Sequence, residues 1–200
     1  LQYIAYARSL PTGQADSALE GIEAAYYIES MEKFIEAKQA EVDADPSNEG
    51  AAKELQDYTV QLHDYRMSLA KDRVERYPND YAFRFEYGEL LFNNQEYDQA
   101  LQQLQLAQRN PNVRTKAILY MGRAFNATNK FDLAVDQLKT LKGELPVMDD
   151  IKKSTVYELA ASLEGAGRAD EAIIEYKELY QHDIGYRDVA DKINAFYEQG

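Results

Sequence analysis

Phe85-Glu-Tyr-Gly-Glu-Leu-Leu-Phe92, followed by Glu96-Tyr-Asp-Gln-Ala-Leu101, returns further along the chain in altered form. The second version reads Leu119-Tyr-Met-Gly-Arg-Ala-Phe125, then Lys130-Phe-Asp-Leu-Ala-Val135. Gly88 pairs with Gly122, Tyr97 with Phe131, Ala100 with Ala134 and Leu104 with Leu138, all at one and the same offset. Such a fixed period is the sequence mark of a repeat architecture. The physics is readable in the residue types. A small residue in each helix lets the other helix of the pair approach closely, and the ring fills the wedge at the turn. No helix pair can bury its apolar stripe alone, so neighbouring pairs must stack.

A third unit follows with Leu159, Ala160, Leu163, Gly167, Ala172 and Leu179. Ala172 stands four positions later than the period counted from Ala134 would place it, so four residues are inserted. They fall within Leu145–Lys153 and are expected to lengthen the connection between repeats. Ala160 replaces the glycine, Ala169 replaces the aromatic, and Gly165 with Gly167 marks the turn. Residues 186–198 then place Val189, Ile193, Phe196 and Tyr197 on one face, as expected of a helix that covers the last apolar surface.

Over residues 79–198 this pattern resembles the tetratricopeptide repeat. That family's unit is a helix–turn–helix of about 34 residues, the offset seen here. Gly88, Tyr97 and Ala100 match its small residue, aromatic and alanine, as do Gly122, Phe131 and Ala134. Pro111 and Pro146 stand where the family closes its second helix. The aromatic usual early in the first helix is replaced by Arg84 and Ile118. The resemblance implies an all-α solenoid of about three repeats with a C-terminal capping helix.

Residues 15–78 lack the repeat. Ala24, Ile28, Met31, Ile35, Lys38 and Val42 are spaced 4, 3, 4, 3, 4, and Leu55, Tyr58, Leu62, Tyr65 and Leu69 are spaced 3, 4, 3, 4. Both are coiled-coil seams. Asp45-Pro-Ser-Asn48 separates them, with Pro46 unable to continue a helix and Ser47 or Asn48 able to cap the next one. Two helices near 15–43 and 48–77, joined so briefly, should form an antiparallel coiled-coil-like hairpin. Pro78 stops the second helix and Asp80 caps the one after it. Residues 1–14 are a lead-in: Pro11-Thr-Gly13 reads as a turn, and Leu1–Leu10 as the end of an upstream element.

The formal net charge is −13, with −8 on residues 1–80 and −5 on residues 81–200. Acid spread along the whole chain repels phosphate backbones and anionic headgroups, so nucleic acid is not an expected partner. No segment approaches the roughly 20 apolar residues of a membrane span. The absence of cysteine excludes disulfides and thiolate metal sites. It suits a cytoplasmic location, with a periplasmic one as the alternative.

Catalytic materials are sparse. His63 and His182 are the only histidines, far apart in sequence. His63 borders the apolar seam, and His182 sits where a helix dipole ends. Neither has a metal-ligand pattern around it, and no nucleophile–base arrangement or Gly-rich phosphate loop is visible. Asp149-Asp150 reads as a helix cap. Asp43-Ala-Asp45 is interrupted as a calcium loop by Pro46. Asn126-Ala-Thr128 has the form of a glycosylation acceptor, a motif short enough to arise by chance. The chain is therefore not expected to be an enzyme or to carry a cofactor.

In the tetratricopeptide family the first helix of each unit lines the concave face. The resemblance implies a groove for another protein's peptide or helix. Helical spacing assigns to it Phe85, Glu89, Phe92 and Asn93, then Lys116, Leu119, Tyr120, Arg123 and Asn126, then Ser154, Tyr157, Glu158 and Ala161. Aromatic rings together with arginine are the usual anchors of an interface. The competing assignment packs the rings between helices and balances the cations against Glu89 and Glu158. Phe85 and Glu89 occupy positions where chaperone-binding repeats carry a lysine and an asparagine for a terminal carboxylate, so that mode of binding is not expected. Tyr26, Tyr27, Phe34 and Val60 on the hairpin offer a second surface, for homo-oligomerisation or for tethering the repeats within a larger protein.

Overall fold

The computed structural model describes residues 17–198 together with Tyr6 and Ser9, so the readings of Leu1–Leu10 and Pro11–Gly13 lie outside the described region. Among the described residues there are nine long helices. They are α1 (Ser17–Ala44), α2 (Glu49–Arg76), α3 (Tyr81–Asn93), α4 (Tyr97–Ala107), α5 (Pro111–Ala127), α6 (Phe131–Glu144), α7 (Asp150–Gly165), α8 (Ala169–His182) and α9 (Val189–Glu198). None is long and apolar enough to cross a membrane. The chain divides into two compact units, residues 1–68 and residues 69–200, with the division inside α2.

In the first unit α1 and α2 run antiparallel. Tyr27 packs on Tyr65 with ring centroids 4.3 Å apart, Phe34 stacks on Tyr58 at 5.8 Å, and Lys38 reaches Glu54 at 2.8 Å. Partner numbers fall on α2 as they rise on α1, as a hairpin requires. The connection is held by side chains: Asp45 accepts from the Ser47 amide at 3.1 Å, and Asn48 accepts from the Ala51 amide at 3.0 Å. Asn48, not Ser47, is thus the cap. Of the predicted seam Ala24, Met31 and Leu62 are buried, while Ile28, Ile35, Val42, Leu55 and Tyr58 are only half-buried. Lys38 holds a seam position by laying its stem along the apolar face and pairing its ammonium with Glu54, which raises its pKa.

The second unit is the predicted stack: α3–α4, α5–α6 and α7–α8 are its repeats and α9 its cap. Each first helix starts on a side-chain cap. Asp80 accepts from Ala82 and Phe83, Asn110 from Asn112 with Pro111 next to it, and Asp149 from Lys152. Each first helix ends on a left-handed residue: Gln95 (φ 63°), Asn129 (φ 56°) and Gly167 (φ 75°). The next amide reaches back to close the turn, Glu96 to Leu91, Lys130 to Phe125 and Arg168 to Leu163, at 2.8–2.9 Å. The second helices need no side-chain cap because this turn feeds straight into them.

Close approach explains the small residues. A Cβ on Gly88 would come within 2.9 Å of Leu104, and one on Gly122 within 2.6 Å of Leu138. In the third repeat Ala160 and Tyr176 hold these places, both buried. Gly165 has a different role from the predicted turn. It is the last residue of α7, and a Cβ there would collide with the Phe131 ring of the previous repeat. The four inserted residues also act differently. The connection from α6 to α7 is longer, but α6 itself has 14 residues where α4 has 11. The core runs unbroken through Ala134, Leu138, Leu141, Val156, Leu159, Ala160, Ala172, Leu179 and Val189. In α9, Val189 is buried and Ile193 and Phe196 are half-buried, but Tyr197 faces solvent, with Lys177 5.0 Å over its ring.

Candidate functional site

Within the repeat unit α3 packs directly on α5, and α5 on α7, whereas α4, α6 and α8 make no backbone approach to one another. First helices drawn together and second helices splayed apart put the former on the inside of the curve. The candidate site is this inner face, as the resemblance implies.

Its polar side chains are paired in sequence across the helices. The Tyr120 hydroxyl on α5 donates to the Glu89 carboxylate on α3. One turn further along α5, the Arg123 guanidinium lies 5.3 Å from the Tyr120 ring and donates through Nε to Glu158 Oε1 on α7 at 3.1 Å. The same oxygen accepts from Arg187 at 3.1 Å. Arg187 lies 4.3 Å from the Tyr157 ring and 5.5 Å from that of Tyr186. Tyr157 in turn donates to Asp188 at 2.6 Å, and Ser154 shares a 3.0 Å hydrogen bond with the Tyr186 hydroxyl. A continuous seam of rings and charges thus runs from α3 to the connection between α8 and α9.

Burial and pairing set the electrostatics. The Glu158 side chain is 15% exposed and the Arg123 side chain 22%. A carboxylate so placed needs its cations, and two guanidinium groups supply them. Burial, then the hydrogen bond to Glu89, pushes the Tyr120 hydroxyl up to about 12. Burial, then the bond to Asp188, does the same for Tyr157, also to about 12. Both hydroxyls stay protonated near neutrality, and both are committed as donors.

The predicted groove residues differ in burial and pairing. Phe85 and Leu119 are buried, a correction to their assignment as partner contacts. Phe85 sits edge-on beneath Tyr120 at 5.9 Å and Leu119 joins the core, so they support the face without presenting it. Phe92, Glu89, Tyr120, Arg123, Tyr157 and Glu158 are half-buried and engaged with one another, Phe92 meeting Tyr120 edge-on at 5.2 Å. Asn93 and Lys116 are exposed, and neither has a side-chain partner among the described residues. Asn126 is half-buried and paired across the helices: its amide nitrogen donates to the Glu158 carbonyl at 3.2 Å, and its amide oxygen accepts from Ser162 at 2.7 Å.

Sequence reading missed Tyr186, Arg187 and Asp188 by assigning them to the capping helix. They form the connection before it, where Arg187 adopts φ 49°. A non-glycine residue with positive φ is uncommon. Nothing local in Tyr-Arg-Asp announces it; the guanidinium is placed by Glu158, in the preceding repeat helix α7.

No family model matches the chain, and no curated protein matches it. Solved structures do. The crystal structure of MamA superposes with a TM-score of 0.62 at 17% identity, over 72% of this chain and 82% of that one. A thermophilic TPR protein of Thermus thermophilus, TTC0263, gives 0.56 at 17% identity over 86% and 93%. A Podosopora anserina putative kinesin light chain, with nearly identical TPR-like repeats, gives 0.52 at 14% identity over 79% and 90%. The fold is a tetratricopeptide-like helical solenoid.

Proposed function

We propose that this chain is a non-catalytic scaffold whose repeats hold an extended or helical segment of another protein along α3, α5 and α7. The observation that carries the reading is the seam from Glu89 through Tyr120, Arg123 and Glu158 to Arg187 and Tyr157. Its rings and guanidinium groups are the residue types that dominate binding energy. They are fixed by mutual pairing before any partner arrives, which lowers the entropy that binding must overcome. Exposed Lys116 and Asn93 flank the seam with uncommitted donors. The net charge of −13 favours a protein partner over nucleic acid.

The test is affinity capture from the native host with wild type, Lys116→Glu and Tyr120→Ala. A protein held by wild type and lost from both variants, with their thermal unfolding intact, supports the groove. A protein held equally by all three contradicts it. The hairpin has a separate role in this reading, self-association. It is favoured by Ile22, Tyr26, Phe34 and Val60, each about half exposed despite its apolar character.

A further inference from the structure

The outward face of α1 is more than a scatter of exposed apolar residues. Ile22, Tyr26, Ser30 and Phe34 follow one another at four-residue intervals, and Ala37 continues the same side. Tyr26, Ser30, Phe34 and Ala37, with Glu29 and Lys33, line a shallow groove. Residues at i and i+4 form the ridge on which helices most often cross. At its middle stands Ser30, small enough for close approach, its hydroxyl already donating to the Tyr26 carbonyl at 2.8 Å. Rings stand one turn to either side. Glu29 and Lys33 form an ion pair along one flank.

This arrangement is self-complementary about Ser30. Reversing the helix end for end exchanges Tyr26 with Phe34 and brings Glu29 within a turn of the position Lys33 held. Two copies related by a two-fold axis through Ser30 would therefore place Tyr26 on the other copy's Phe34, twice. Each Glu29 would lie beside the other copy's Lys33, on the same flank. A patch that meets itself in this way is the requirement for an isologous contact.

We infer that the occupant of this face is a second copy of the chain, crossing antiparallel with Ser30 against Ser30. The inference rests on reading the hairpin as a self-association module and adds the partner surface and its register. The chain has no cysteine, so Ser30→Cys supplies a single reporter. Under mild oxidation the variant should form a disulfide-linked dimer, while Asn93→Cys, in the repeats, should not.

Sedimentation of the full chain should show a dimer. Tyr26→Lys should weaken it roughly tenfold or more, as expected for removing a ring anchor. Glu29→Lys alone should weaken it several-fold through like charges, and adding Lys33→Glu should restore it. A monomer at every concentration overturns both the inference and the self-association reading. A dimer that Ser30→Cys fails to cross-link, and that the charge exchange does not restore, overturns only the register and the α1 face. Helicity of each variant, measured alongside, separates lost pairing from lost folding.

Discussion

The hairpin and the repeats are both helices packed by apolar seams, yet they bury those seams to different depths. In the repeats Ala100, Leu104, Ala134, Leu138, Leu159, Ala160 and Leu179 are all within 1% of fully buried. Among the described residues of the first unit only Ala24, Met31, Ala51 and Leu62 pass as buried, and Ile28 and Ile35 remain half-open. The difference is one of neighbours. A helix in the stack is covered on two sides, as α5 is by α4 and α6 and again by α7. Among the described residues each helix of the hairpin packs on one neighbour, and Ile22, Tyr26, Phe34 and Val60 remain about half exposed. Deep burial fixes the stacked helices against one another, and incomplete burial leaves apolar surface on the hairpin.

The largest expected effect sets the two regions directly against each other. Leu138→Ala should cost about 3 kcal/mol in denaturant unfolding, because its packed surroundings cannot collapse into the cavity. Ile35→Ala, from a half-covered site, should cost about 1 kcal/mol. Equal losses would mean that the hairpin is packed as tightly as the stack.

Gly122→Ala should be next, at about 1–3 kcal/mol, because its methyl would lie 2.6 Å from buried Leu138. The cost should largely vanish in the Leu138→Ala background, and a double-mutant cycle measures that coupling. Gly21 on α1, where a methyl would meet nothing within 4 Å, should tolerate alanine without loss.

Smaller effects test the turns peculiar to the repeats. Gly167→Ala should destabilise by about 1 kcal/mol, since an L-residue is strained at φ 75°. Gln95→Gly should stabilise by about 0.5 kcal/mol, the relief of strain exceeding the added chain entropy. A pair of thermal unfolding curves decides the signs.

A further effect is confined to alkaline solution. Tyr120 and Tyr157 titrate at about 12 in the folded state, whereas an unfolded tyrosine titrates at about 10. Above the lower value the unfolded chain releases protons that the folded chain retains. The contribution is therefore complete below about pH 10 and lost as pH rises towards 12. The alkaline fall in unfolding temperature should be shallower in Tyr120→Phe with Tyr157→Phe than in wild type.

How much of this was legible in the sequence depended on whether the cause was periodic. The constant offset between repeats, Gly88 and Gly122, the seams and the caps at Asp80 and Asp149 each follow from local spacing or local chemistry, and each was readable. The direction of individual groove side chains was not. Phe85 and Glu89 lie one helical turn apart, yet one is buried beneath Tyr120 and the other accepts its hydroxyl, because α5 approaches from one side. Gly165 read as a turn signal, and only the placement of Phe131 shows why a side chain cannot stand there. Arg187 escaped because its partner belongs to another repeat helix and its backbone conformation has no marker in the residues around it. Periodicity encodes which residues face inward; which groups then pair across helices is decided by tertiary approach.

The most direct test crosses the two surfaces in one experiment, measuring retained partner and sedimenting mass for two double variants. Arg123→Glu with Tyr120→Ala should lose the partner protein and keep the dimer. Tyr26→Lys with Phe34→Lys should keep the partner and lose the dimer. A partner that survives the groove variant, or a dimer that survives the hairpin variant, would contradict the division of labour between stack and hairpin.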